Sequence, residues 1–199
     1  MNVSLPALVR ARHLKSLLAT IDRLAADSQV RAGIDRAVST AVDGACGVDW
    51  MPFELDLAIT RALYTAMPAT GADAFFRAHT RDSFNGPLLH GIVDAGIRLF
   101  GLNPGSWARW VPKGWSLVFR NVGEWSVSAS RLGEARLALL NLPPVAVGDP
   151  DWVRSVASSL EALSDLAKRS GEVEIVAVDL AARRAEFALR WAPAPGNTP

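Results

Sequence analysis

The chain has 199 residues, 50% of them hydrophobic and 21% charged, and its formal charge is +1. That balance predicts a globular chain and gives no electrostatic reason to seek nucleic acid. A lone cysteine, Cys46, excludes an internal disulfide and any multi-cysteine metal site. It is read as a small core residue of a reducing, cytoplasmic protein. No stretch approaches the ~18 consecutive apolar residues of a membrane span, and residues 1–18 lack the compact apolar region of a secretory signal.

The first half reads as helices. Leu5, Leu8, Val9, Leu14, Leu17, Leu18 and Ile21 recur at helical spacing and predict a first amphipathic helix ending near Ala25. Asp27 or Ser28 can cap a second, carrying Val30, Ile34, Val38 and Val42 until Gly44 and Gly47 break the run. Pro52 stands where a first helical residue would, ahead of the stripe Phe53, Leu55, Ala58, Ile59, Ala62 and Leu63. A shorter helix follows over 70–79 with Phe75 and Phe76, and Pro87 opens another to Phe100, ended by Gly101 and Pro104.

From Trp115 the period becomes two. Trp115, Leu117 and Phe119 predict a strand, and Asn121 to Gly123 a turn. Trp125, Val127 and Ala129 alternate with Ser126, Ser128 and Ser130 as a half-buried strand. Ala135, Leu137 and Leu139 make a third, closed by Pro143 and Pro144. Asp149 then caps a helix with Pro150 at its first position and Trp152, Val156, Leu160 and Leu163 facing inward. A last hairpin pairs Val173, Ile175 and Ala177 with Ala185, Phe187, Leu189 and Trp191 about a turn at 181–183. This order predicts one α+β domain over 1–192. About five helices in a half spanning 1–110 would pack on one antiparallel sheet of about five strands in 114–191, with one helix inserted before the last hairpin. A disordered Pro-rich tail over 193–199 would follow.

Three features carry a family likeness: Asn141-Leu142-Pro143-Pro144 after a strand, Asp149-Pro150-Asp151-Trp152 opening a helix, and a hairpin ending Phe187-Ala188-Leu189-Arg190-Trp191. Together they resemble a myxobacterial paralogous family of uncharacterised proteins. That family is similar in turn to the group holding the 4-vinyl reductase domain, the haem-nitric-oxide-binding domain and the transport-particle subunits. The resemblance spans about Val9 to Trp191. It implies a helical layer against a strongly curved sheet, with an apolar cavity between them that relatives use for haem, small hydrophobic molecules or acyl chains. Such analogy bears on where a site lies and not on what it does.

His90, inside Leu88-Leu89-His90-Gly91-Ile92, has Pro104 at nearly the His-to-Pro spacing of the haem-nitric-oxide-binding domains, so the resemblance implies a candidate haem ligand there. The Tyr, Ser and Arg motif that holds the propionates in those domains has no counterpart. The single tyrosine, Tyr64, stands elsewhere, and Ser128, Ser130 and Arg131 match in composition but not in spacing.

Trp107, Trp110, Trp115 and Trp125 fall close together, and such a cluster can wall a pocket or fill a core. By phase, Trp115, Trp125, Trp152 and Trp191 read as packing, whereas Trp107 and Trp110 flank Arg109 in a loop-like segment, Gly105 to Lys113. The candidate pocket set is His90, Trp107, Trp110, Trp115 and Phe119, and the candidate partner contact is Trp107, Arg109 and Trp110. His79 with Arg81, Asp82 and Ser83 reads as helix-end capping rather than catalysis. No catalytic, resident-metal or phosphate-loop signature is found. The sequence therefore predicts a non-enzymatic cytoplasmic domain without a cofactor that binds a small apolar molecule or a protein partner. The alternatives are a haem-dependent gas sensor using His90 and a structural homodimer.

Overall fold

The structure is a computed structural model and describes residues 5–25, 29–84, 103–131 and 133–192. The predicted helix over 87–100, the cap at 27–28 and the tail at 193–199 lie outside the described residues.

Strand β1 (Leu8–Arg10) leads directly into α1 (Ala11–Leu24). The first apolar run therefore divides, its start pairing as strand. Antiparallel β1 lies between β2 (Trp50–Pro52) and β3 (Phe119–Arg120), with Val9 opposite both Met51 and Phe119. Between β1 and β2 the predicted second helix is two, α2 (Val30–Gly33) and α3 (Arg36–Gly44), because Asp35 interrupts to cap α3, accepting from Ala37 N at 2.7 Å. Pro52 ends β2 instead of opening a helix. Cys46 is exposed in the turn after α3, its backbone N–H held by Asp49 Oδ2 at 2.6 Å, and is not a core residue. Helices α4 (Glu54–Ala66) and α5 (Ala69–Ser83) follow.

The segment read as the first strand of the sheet is mostly helix. Helix α6 (Pro104–Ala108), capped by Asn103 Oδ1 on Gly105 N at 2.8 Å, leads to α7 (Val111–Val118). Trp115, Leu117 and Phe119 satisfy a period of two, but Val111, Trp115 and Val118 satisfy 3.6, and Pro112 favours a helix start. Only the last two residues of the run are extended, and they join the small sheet.

The larger sheet has four strands in the order β4 (Glu124–Arg131), β5 (Glu134–Leu140), β7 (Arg184–Trp191), β6 (Gly171–Asp179), all antiparallel. The architecture is α+β with two antiparallel sheets in place of the single one expected. Both edge strands carry a register shift, at 127–129 and 175–177, the irregularity that bends and twists a sheet. Helix α8 (Pro144–Val147) and α9 (Pro150–Leu166) come before β6. Asp149 caps α9 as predicted, accepting from Trp152 N at 3.0 Å, while its other oxygen accepts from Arg61 Nε at 2.6 Å.

Helix α9 lies between α5 and the sheet. Its sheet-facing and inward side chains belong to a cluster with Leu137, Leu139, Phe187 and Leu189, and a second cluster joins α1 through α5 around Leu14, Leu17, Ile59 and Phe76. Phe119 packs against both. Along the α5–α9 seam, Arg154 grips Asp73 through Nε and Nη2 at 2.8 and 2.6 Å, and Arg77 grips Asp165 at 2.9 and 2.6 Å.

Two substitutions test this packing. A Cβ at Gly171 would stand 2.1 Å from Ser164 Oγ and 2.8 Å from Arg190 O, so strand and helix meet only where position 171 has no side chain. Gly171→Ala should lower stability by about 1–3 kcal/mol, read as a reduced urea midpoint at unchanged slope. Trp152→Ala, at a ring 2% exposed, should cost about 3–5 kcal/mol in the same measurement.

Candidate functional site

Where the two clusters meet, a cavity of about 190 Å³ opens. Its walls are helix stripes. Helix α9 contributes Trp152, Ser155, Val156, Ser159, Leu160 and Leu163; α5 contributes Phe76, His79, Thr80 and Ser83; α7 contributes Val111, Gly114, Trp115 and Val118. Each set follows i, i+3, i+4, i+7, so three helices each turn one face toward the same space. Among the described residues the four-stranded sheet adds only Trp125, so the cavity is chiefly enclosed by helices and not by a helix layer on a sheet. His79, His13, Phe119, Trp115 and Trp125 form a continuous row of rings, with successive centroids 5.4, 5.5, 4.2 and 5.6 Å apart.

Polar atoms in this apolar space are few and informative. Asp56 is 4% exposed; its Oδ2 accepts from Trp152 Nε1 at 3.1 Å and its Oδ1 lies 3.2 Å from His13 Nε2. No Lys or Arg lines the cavity among the described residues. His79 is 3% exposed. Its Nδ1 lies 3.1 Å from Thr20 Oγ1, which is 2.8 Å from Ser16 O. The single Thr20 hydroxyl proton serves either Ser16 O or His79 Nδ1, so the donor in the His79–Thr20 contact is set by the ring's tautomer. The other ring nitrogen, Nε2, is buried without a partner. Burial, aided by nearby His13 and Arg23, pushes the His79 pKa down to about 3, so the ring is neutral. Trp107 Nε1 and Trp125 Nε1 are also buried without partners. Three wall residues thus carry an unsatisfied acceptor or donor, a state that ordinary cores avoid.

Of the residues singled out from sequence, the structure brings Trp107, Trp110, Trp115 and Phe119 to this one cavity. His90 lies outside the described residues. The partner-contact expectation needs correcting. Gly105 to Lys113 is helical for most of its length, and Trp107, 4% exposed, turns into the core because α6 packs on α9 and the sheet. Trp110 is half-buried and Arg109 alone of the three is exposed. His79 is a wall residue and not a capping one; Ser83 Oγ donates to the His79 carbonyl at 2.8 Å within the helix. The missed signal is a polar side chain repeated on an inward stripe: His79, Thr80 and Ser83 beside Phe76, and Ser155 and Ser159 beside Trp152 and Val156.

No group of three or more His, Cys, Asp or Glu side chains placed to hold a metal occurs among the described residues. No helix among them is long and apolar enough to cross a membrane.

No protein-family model and no curated protein matches the chain. Solved structures do match in fold. An Fe(II) unliganded H-NOX protein from K. algicida superposes with a TM-score of 0.63 at 8% identity, covering 95% of this chain and 100% of that one. An oxygen-binding H-NOX domain related to soluble guanylate cyclases gives 0.57 at 10% identity, covering 93% and 96%. A trafficking protein particle complex subunit 3 from Naegleria fowleri, covalently bound to palmitic acid, gives 0.42 at 10% identity, covering 69% and 90%. The chain has the H-NOX fold; at these identities the likeness is one of fold alone.

The described lining gives a haem little to hold it. It offers no cation to two propionates, and its one carboxylate, Asp56, would oppose them.

The neutral His79 has a consequence for pH. Unfolded, it titrates near 6.5; folded, about 3. Between those values only the unfolded chain takes the proton, so stability falls as pH is lowered through that window. Denaturant titrations of the parent and His79→Phe near pH 7 and pH 4.5 should show the parent losing about 2 kcal/mol more, other carboxylates cancelling in the difference.

Proposed function

We propose that the chain is a binding module, and not an enzyme, whose internal cavity takes a small uncharged molecule that is mostly apolar. One observation carries this reading: a cavity of about 190 Å³ walled by the rings of Phe76, Trp107, Trp110, Trp115, Phe119, Trp125 and Trp152, with no Lys or Arg among the described lining residues. Three of its lining residues, His79, Trp107 and Trp125, also hold a buried polar atom without a protein partner, which packing alone does not explain. The H-NOX likeness supports the same reading, since ligand-binding domains share this fold.

Propylbenzene is a suitable first probe. Binding should change tryptophan fluorescence, because Trp107, Trp110, Trp115, Trp125 and Trp152 all line the cavity. At tenfold excess over Kd it should raise stability by about 1.4 kcal/mol. Gly114 supplies the control: a Cβ there meets nothing within 4 Å, and the residue faces the cavity. Gly114→Leu should fold, fill the space and weaken the probe by tenfold or more. The reading is overturned if propylbenzene gives neither signal up to its solubility, or binds Gly114→Leu unchanged.

A further inference from the structure

We propose that the outer face of the small sheet is an anion site, built by Arg10, Trp50 and Arg120, which takes the phosphate dianion of a soluble phosphorylated compound. The site is separate from the cavity and does not depend on it.

Strand register puts the three side chains on one face. Val9 stands opposite both Met51 and Phe119, and these pack in or against the inner cluster. Arg10 stands opposite Trp50, and Arg120 opposite Leu8, two residues from Arg10 on the same face of β1. Alternation thus turns a basic and aromatic set away from the core. The guanidinium carbons of Arg10 and Arg120 lie 3.8 and 4.3 Å from the centroid of the one Trp50 ring. Stacking engages the face of a guanidinium and leaves the N–H groups at its edge to donate in the plane. Arg10 gives one of them to Val48 O at 2.6 Å. Among the described residues the Arg120 guanidinium has the ring contact and no protein acceptor.

The chain does not balance this charge. Arg23, Arg61, Arg77, Arg154 and Arg190 each have a carboxylate at ion-pair distance, whereas among the described residues neither Arg10 nor Arg120 has one. Their surroundings add to the imbalance. Lys15 Nζ donates to the backbone carbonyl of Asp43 at 3.0 Å, and α1, which follows Arg10 directly, has no acidic residue in its first turn. Asp49, beside Trp50 in sequence, spends its Oδ2 on the Cys46 N–H at 2.6 Å. Two like charges held on one ring repel, and an anion from outside removes that cost while meeting the open edges. One phosphate dianion neutralises both cations and presents oxygens to two forks at once, where a single carboxylate neutralises one. A lipid surface is the poorer occupant, because the indole that would enter the headgroup region already carries two guanidiniums over its ring.

The test follows the Trp50 indole N–H resonance, assigned by its loss in Trp50→Phe, during titration with inorganic phosphate above neutral pH and with sodium chloride at matched ionic strength. Phosphate should shift the resonance saturably and chloride should not. Arg120→Gln, at an exposed side chain, should fold and raise the Kd for phosphate tenfold or more, the loss expected for one charge-assisted contact. Arg120→Lys keeps the charge without the fork and should stay weaker than the parent. Arg184→Gln, whose partner is Glu186 in the larger sheet, should leave the Kd unchanged. The proposal is overturned by a shift that does not saturate, by chloride matching phosphate, or by Arg120→Gln binding as the parent does. Sedimentation with phosphatidylcholine vesicles containing phosphatidic acid, without a saturable shift from free phosphate, would assign the face to a lipid surface and overturn it as well. Propylbenzene should bind Arg120→Gln as it binds the parent, so failure of either site leaves the other standing.

Discussion

Helix α9 is buried along nearly its whole length, and the rest of the structure is arranged around that constraint. Trp152, Val153, Val156, Ala157, Leu160, Ala162 and Leu163 are all buried, together with Ser155, Ser158 and Ser164. A helix buried on several sides cannot use one neighbour: the sheet takes one face, α5 another, and the cavity the stripe that starts at Trp152. Its start is fixed as firmly as its faces, since Asp149 caps it and is itself held by Arg61. The seam with α5 shows which forces dominate. The pairs Asp73–Arg154 and Arg77–Asp165 are partly solvated, the kind of contact that contributes about 0–1 kcal/mol each. Burying Trp152 alone outweighs them. What the ion pairs supply is register. Asp73 and Arg77, one turn apart on α5, meet Arg154 and Asp165 on α9 and so set the height at which Phe76, His79 and Ser83 enter the cavity.

Asp73 shows how that seam is kept polar inside a packed interface. Burial alone would raise its carboxyl, but hydrogen bonds from Arg154, Tyr64 and Ser158 hold it below the ordinary carboxylate range. The same contact, with burial first, pushes the Tyr64 hydroxyl well up. Asp73 is therefore a satisfied, partly buried acceptor with donors on three sides. His79 is the opposite case on the same helix, its Nε2 buried with no partner. The contrast follows the surroundings: Asp73 lies on a partly solvated seam beside Arg154, whereas His79 is buried among rings.

Much of the sheet half was legible from residue order. Serines alternating with Trp125 and Val127, and the strict alternation of Ala185, Phe187, Leu189 and Trp191, leave a single reading for β4 and β7, and Asp149-Pro150 does the same for the start of α9. Residues 111–120 were misread because Trp115, Leu117 and Phe119 satisfy a strand while Val111, Trp115 and Val118 satisfy a helix; the choice is made by packing between the two clusters, which no local pattern records. Cys46 misled for a related reason, since an apolar-leaning residue type says nothing about the turn it occupies. The cavity was half legible. Four of its aromatic residues stood out by type, but stripes that line a cavity and stripes that fill a core have the same period, and only the intruding polar residues, His79 and Ser155 among them, distinguish the two.

The likeness to H-NOX domains is one of fold and dictates no contents. What the cavity can hold is set by side chains that such low identity does not preserve: here the neutral imidazole of His79, a row of aromatic rings, one engaged carboxylate and no Lys or Arg among the described lining residues. An apolar, ring-lined surface accepts guests by volume more than by polar pattern, so the few polar side chains set into it are what narrow the choice.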